Sequence, residues 1–144
     1  MDIRRYLQAI MQRGGTGLAE ELGRHLDEWS RRTGIRVETW ALPAGRVPQR
    51  VTDAVMGCLA EALSNVEKHS GASVVSVAVT MGASGLRLTV SDHGRGFLGR
   101  ASGRGVVAMS AHLAAVGGRC AVNGTPGGGT TVSGIVPAAA LRGQ

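Results

Sequence analysis

The stretch VTDAVMGCLAEALSNVEKHSGAS, residues 51–73, decides how the whole chain is read. Val55, Leu59, Ala62, Leu63 and Val66 recur at helical spacing, which predicts one amphipathic helix ending before Gly71. On a regular helix Glu61, Asn65, Lys68 and His69 fall within an arc of roughly 100°, beside that apolar flank. A carboxylate, an amide, an ammonium and an imidazole then face one space. Such a row suits a phosphate and its metal ion, although each residue taken singly is equally well an exposed polar group near a helix end.

Outward from this helix, the surrounding sequence predicts a single domain. With 144 residues, 43% of them hydrophobic, the chain can bury one real core. Only four residues are Phe, Trp or Tyr, so that core must be aliphatic and rich in alanine. Glycine accounts for 23 residues, and 13 of these lie between Gly82 and Gly129, marking turns and backbone-lined surface.

Upstream, LAEELGRHLDEWSRR (residues 18–32) places Leu18, Leu22, Leu26 and Trp29 on one helical face, with Thr33-Gly34 as its stop. His25 on this helix reads as a partly exposed surface histidine. IRVETWAL (35–42) reads as a strand and PAGRVP as a turn. Downstream, residues 73–81 and 85–92 alternate around a tight turn and predict an antiparallel hairpin. A glycine-rich loop, a helix over 106–116 and a second hairpin from RCAVNG and GGTTVSGIVP follow, and AAALRGQ is expected to fray. The order predicts an α+β fold, a two-layer sandwich whose mixed, mostly antiparallel sheet of about five strands is covered on one face by about three helices. Residues 1–17 are read as a linker or the remnant of a preceding helical region, 18–137 as the domain and 138–144 as a flexible tail.

The net charge of +6 is uneven, since Arg95, Arg100, Arg104, Arg119 and Arg142 follow the last acidic residue, Asp92. These arginines stand singly among glycines without interleaved aromatics, which argues against nucleic acid and leaves a solvated basic surface or a polyanion site. Cys58 and Cys120 show no metal-ligand spacing and read as small buried hydrophobes rather than a disulfide. No apolar run is long enough to cross a membrane, and MDIRRYLQAIM lacks a signal-peptide core. The expectation is a cytoplasmic protein, or the cytoplasmic part of a membrane-bound sensor, that makes no membrane contact itself.

Two windows, Gly94 to Gly99 and Gly103 to Ala108, imitate a dinucleotide fingerprint, but no acidic residue follows to hold a ribose. A P-loop is excluded as well, because the only lysine, Lys68, lies within the central helix pattern.

A third nucleotide arrangement remains. EALSNVEKH (61–69) resembles the N box of gyrase-type and histidine-kinase-type ATPases, DHGRGF (92–97) their first glycine box, GRG (103–105) their second, and GGTTV (128–132) their closing strand. All four stand in family order over residues 18–137. The chain is most similar to the ATP-binding domain, of Bergerat fold, in sensor histidine kinases that pair with LuxR-type response regulators.

That resemblance implies ATP and Mg²⁺ as ligands, with Asn65 on the metal and Glu61 as the catalytic base. It implies that Lys68 and His69 lie near the phosphates and that Asp92, supported by Thr130, accepts from the adenine amino group. Gly94 and Gly96 then let the backbone approach, and Gly103, Arg104, Gly105 and Val106 line the phosphates, with Ser102 capping the helix behind them. It further implies a histidine-bearing dimerisation domain and a response regulator as partners. The sequence departs from the family at Val106-Val107, where leucine and a polar or basic residue are common, and residues 1–17 hold at most a remnant of the preceding helical hairpin. A stand-alone serine kinase that captures a sigma factor, and a non-catalytic ATP-binding module, are the alternatives.

Overall fold

The computed structural model describes residues 17–43, 45–94 and 104–142, together with all their side chains except those of His69, Ser70, Arg104 and Thr125. Its elements are α1 (Leu18–Thr33), β1 (Arg36–Ala41), α2 (Gln49–Asn65) with a π-helical turn (Val66–Ser70), β2 (Val74–Gly82), β3 (Gly85–Asp92), α3 (Arg104–Ala114), β4 (Arg119–Thr125), β5 (Gly129–Pro137) and α4 (Ala138–Arg142). The five strands form one sheet in the order β1-β2-β3-β5-β4. β1 and β2 run parallel because α2 is the crossover between them, and the remaining pairs are antiparallel.

Alternation in the sequence sets which side of the sheet is covered. Paired rows Val77–Val90–Val132–Val122 and Val79–Leu88–Gly134–Cys120 run across four strands. Val75, Val77, Val79, Leu86, Leu88, Val90 and Val136 in this layer are essentially without solvent contact. Each such side chain contributes about 1.5–3 kcal/mol by leaving water. Against them pack Leu18, Leu22, Leu26 and Trp29 of α1, Val51, Val55, Cys58, Leu59, Ala62 and Leu63 of α2, and Met109 and Leu113 of α3. The opposite face carries small and hydroxylated residues, among them Ser91 and Thr131, whose hydroxyls lie 3.0 Å apart.

α1 starts where the Gly17 amide donates to the Glu20 carboxylate at 2.7 Å, and it stops where the Gly34 amide donates to the Ser30 carbonyl at 2.9 Å. His25 is half-buried as expected, and that burial pushes its imidazole below the ordinary histidine value. β1 is the outer edge, with a break in register between Thr39 and Ala41 at which Trp40 is 73% exposed.

Two expectations are corrected. The central segment is not one regular helix up to Gly71: the α-helical part ends at Asn65, and residues 66–70 widen into a π turn before Gly71. Residues 138–142, expected to fray, form α4, where Ala140 is buried and its carbonyl accepts from Arg50 Nη2 at 3.4 Å. α4 thus lies against β3 and β5 and is tied to the first turn of α2 by this bond.

Candidate functional site

Topology gathers the chemistry-bearing residues at one end of the sandwich. α2 and its π turn end at Ser70, and β2 begins at Val74, so the end of α2 lies beside the start of β2. Val75 pairs with Asp92 at the end of β3, and Asp92 pairs with Thr130 at the start of β5. Gly105, in the first turn of α3, lies against the Asn65 side chain. Asn65 and Gly105 from the helical layer therefore share one end of the molecule with Asp92 and Thr130 from the sheet.

On the helical side, Glu61 and Asn65 are half-buried and one turn apart on α2. A Cβ on Gly105 would stand 2.8 Å from Asn65 Nδ2 and 2.9 Å from Oδ1, so the missing side chain is what lets the amide and the start of α3 meet. The two helices run antiparallel, and at their other shared end a Cβ on Gly57 would overlap the His112 ring. Gly57 and Gly105 thus set the helix separation that holds α3 over Glu61 and Asn65. Sequence reasoning missed both contacts, although a glycine in the middle of an apolar helix pattern was a signal for the first.

The π turn changes the expected polar row. Its i→i+5 geometry turns each residue through less than the ideal 100° or so, and the arc drawn on a regular helix therefore holds only as far as Asn65. Lys68 is exposed, and the adjacent Glu67 is ion-paired to Arg32 of α1 at 3.2 Å. His69 lies in this turn, with its side chain outside the described residues.

On the sheet side, Asp92 is only 5% exposed. Its Oδ1 accepts from the Gly94 backbone amide at 2.8 Å, closing a short turn at the strand end. Thr130 stands opposite Asp92 on the helix-covered side, half-buried, and Gly129 packs on the Asp92 carbonyl. A buried carboxylate with one local hydrogen bond retains acceptor capacity for a donor arriving from outside.

Gly96, Gly103, Arg95, Arg100 and Ser102 lie outside the described residues, as does the Arg104 side chain. Val106 is half-buried and packs on the core, whereas Val107 is 67% exposed and Met109 fully buried beneath α3. Among the described residues no group of three or more His, Cys, Asp or Glu could hold a metal ion unaided. The neutral amide oxygen of Asn65 and the carboxylate of Glu61 nevertheless suit Mg²⁺, which takes one or two protein oxygens when phosphates and water complete its shell.

No protein-family model matches the chain. It is 36% identical over 126 residues to the sensor histidine kinase LiaS of Bacillus subtilis, covering 85% of this chain and 35% of LiaS. It is 33% identical over 120 residues to the nitrate/nitrite sensor protein NarX of Escherichia coli, covering 81% of this chain and 20% of NarX. The chain therefore spans between a fifth and about a third of these relatives. The histidine kinase domain of a blue-light activated kinase from Erythrobacter litoralis superposes with a TM-score of 0.73 at 23% identity, covering 85% of this chain and 62% of that one. The ATP-binding domain of PrrB from Mycobacterium tuberculosis superposes with a TM-score of 0.64 at 19% identity, over 85% of this chain and 94% of that domain. The chain is thus similar to about a third or less of a sensor histidine kinase, and its architecture is the fold of the histidine kinase ATP-binding domains on which it superposes.

Proposed function

We propose that this chain binds Mg·ATP across the end of the sandwich defined by Asn65 and Asp92, and presents the γ-phosphate to a histidine on a dimerisation domain outside the chain. The observation that carries this reading is the arrival of a half-buried amide from α2 and a buried carboxylate from β3 at the same end of the fold. Asp92 accepts from the adenine amino group, with Thr130 beside it. Guanine offers a carbonyl where adenine offers a donor, so the same carboxylate rejects it. Asn65 gives its oxygen to Mg²⁺, which when bound neutralises charge on the phosphates.

Glu61 orients the attacking imidazole or takes its proton, as phosphoryl transfer asks of a positioned base. Gly94 and Gly96 let the backbone approach the nucleotide. Gly103, Arg104, Gly105 and Val106 face the phosphates, aided by the free amides at the start of α3. Lys68 and His69 provide charge and donors at the phosphate edge from the π turn. The acceptor domain and a response regulator are the protein partners of this reading, and the description of LiaS as a sensor histidine kinase supports histidine over serine as acceptor. No helix among the described residues is long and apolar enough to cross a membrane, and the cytoplasm is the proposed location.

Calorimetric titration of the chain with ATP and GTP, with and without Mg²⁺, tests the binding. ATP is expected to bind in a Mg²⁺-enhanced manner and GTP at least about tenfold more weakly. Asp92→Ala removes the acceptor of the adenine amino group and should cost about 10- to 100-fold in ATP affinity. Equal affinity for the two nucleotides, or an Asp92→Ala chain that binds ATP undiminished, overturns the assignment.

Gly105→Ala separates the helix contact from the fold. The atoms a new methyl would meet are the mobile end of Asn65, and alanine is favoured over glycine inside a helix by about 0.5–1 kcal/mol. Stability to urea should therefore hold or rise slightly while the Mg²⁺ enhancement of ATP binding falls about tenfold, about 1.4 kcal/mol. A variant that keeps the full enhancement would show that the Asn65 position is immaterial.

A further inference from the structure

β1 is an end strand of the sheet, with β2 as its only strand neighbour among the described residues. In a parallel ladder alternate residues turn their N–H and C=O groups to opposite sides of the strand. The Arg36 amide donates to the Ser73 carbonyl at 2.9 Å, so Arg36 and Glu38 direct their backbone groups at β2. Val37 and Thr39 therefore direct theirs outward, along an edge that carries no proline. The side chains alternate as well. Val37 stands beside Val75 on the helix-covered side. Arg36 and Glu38 project from the open face, both exposed, with Arg36 Nη2 3.5 Å from Glu38 Oε2 and the Ser76 hydroxyl 3.5 Å from Glu38 Oε1. The break in register after Thr39 ends the regular edge, and Trp40 beside it is 73% exposed.

We propose that this edge receives a second copy of the chain, with the two β1 strands paired antiparallel about Val37. Such a contact uses the same patch on both copies, so it closes as a dimer and does not propagate. Charge fixes the register. With the axis at Val37, the two copies exchange the outward Val37 N–H and C=O groups, and Arg36 of each copy stands directly opposite Glu38 of the other. These flanking positions are the non-hydrogen-bonded pairs, where Cα atoms approach to about 4.5 Å and side chains meet most closely. Two opposite-charge pairs therefore form across the axis on the open face. With the axis at Thr39 instead, Glu38 would face Trp40, and the break in register would fall on the axis itself. The run Arg36-Val37-Glu38 is thus complementary to itself about one centre. Trp40 flanks the paired stretch, and its exposed ring adds apolar surface at the rim.

Sedimentation equilibrium of the full chain over a range of concentrations tests the interface. An edge this short should give a weak dimer, with a dissociation constant of about 10–500 µM. Glu38→Arg sets arginine against arginine across the axis, and Arg36→Glu sets glutamate against glutamate. Each should weaken the dimer at least about tenfold. The two substitutions combined exchange the signs and restore opposite charges, so the double variant should dimerise within about threefold of the parent. Both positions are exposed, and the urea midpoint of every variant, read at a concentration where the parent is monomeric, should stay in place. A parent that remains monomeric at about 1 mM overturns the proposal. So do single variants that dimerise as the parent does, a double variant no better than the singles, or an assembly that grows beyond two copies.

Discussion

Glu61→Gln is expected to leave ATP affinity within about twofold and to lower phosphoryl transfer to a supplied histidine-bearing domain by about 10²- to 10⁴-fold. The substitution keeps the volume and one oxygen of a half-buried side chain but removes its capacity to take a proton. Its effect should therefore fall on the transfer step. Glu61 stands one turn before Asn65, so on this reading it is held beside the phosphate end of the nucleotide without contributing to the adenine end. Single-turnover transfer from labelled ATP to a purified dimerisation domain, alongside calorimetric binding, separates the two quantities. Equal transfer rates for parent and variant would remove Glu61 from the base role. A parallel loss of binding would make it a ligand-holding residue instead.

Much of the scaffold was legible because alternation and helical spacing are local signals. The registers Val77–Val90–Val132 and Leu86–Val136 follow directly from which strand positions are apolar, and the Gly82–Gly85 turn fixes the first hairpin. The limits of α2 and the geometry of its end were less readable. Nothing in the composition of VEKHS distinguishes a π turn from another α-helical turn, so the 3.6-residue period was carried past Asn65, where the winding changes. α4 was missed for a related reason: AAALR has no polar pattern, and its helix is recognised only once Ala140 is seen docked beside Arg50. Asp92 was legible as an acid at a strand end before glycines, but its burial depends on pairing with strands on both sides. The contact of Asn65 with Gly105 joins residues 40 positions apart, and it depends on how separate elements pack rather than on local sequence pattern.

The second large effect is expected at Gly129, and its neighbour Gly127 provides the control. Both glycines have positive φ, +91° at Gly129 and +73° at Gly127, so an L side chain at either pays for a left-handed backbone, about 1–2 kcal/mol. Around Gly127 no group among the described residues comes within 4 Å of the point where a Cβ would stand, and Gly127→Ala should cost only that conformational term. At Gly129 the same methyl would overlap the Asp92 carbonyl oxygen and stand 2.8 Å from its carbon and 2.9 Å from the His93 Cα. These are backbone atoms of the strand end and cannot swing aside as a side chain can. Gly129→Ala should therefore cost about 2–5 kcal/mol in urea unfolding, the conformational term plus an overpacking term of about 1–3 kcal/mol. Because the displaced backbone carries the Asp92 carboxylate, the surviving folded fraction should also bind ATP at least about tenfold more weakly, whereas Gly127→Ala should bind it as the parent does. Equal destabilisation of the two variants would mean that the close approach at Gly129 is relieved without cost. A stable Gly129→Ala chain with undiminished ATP binding would separate the β5 contact from the adenine end of the site.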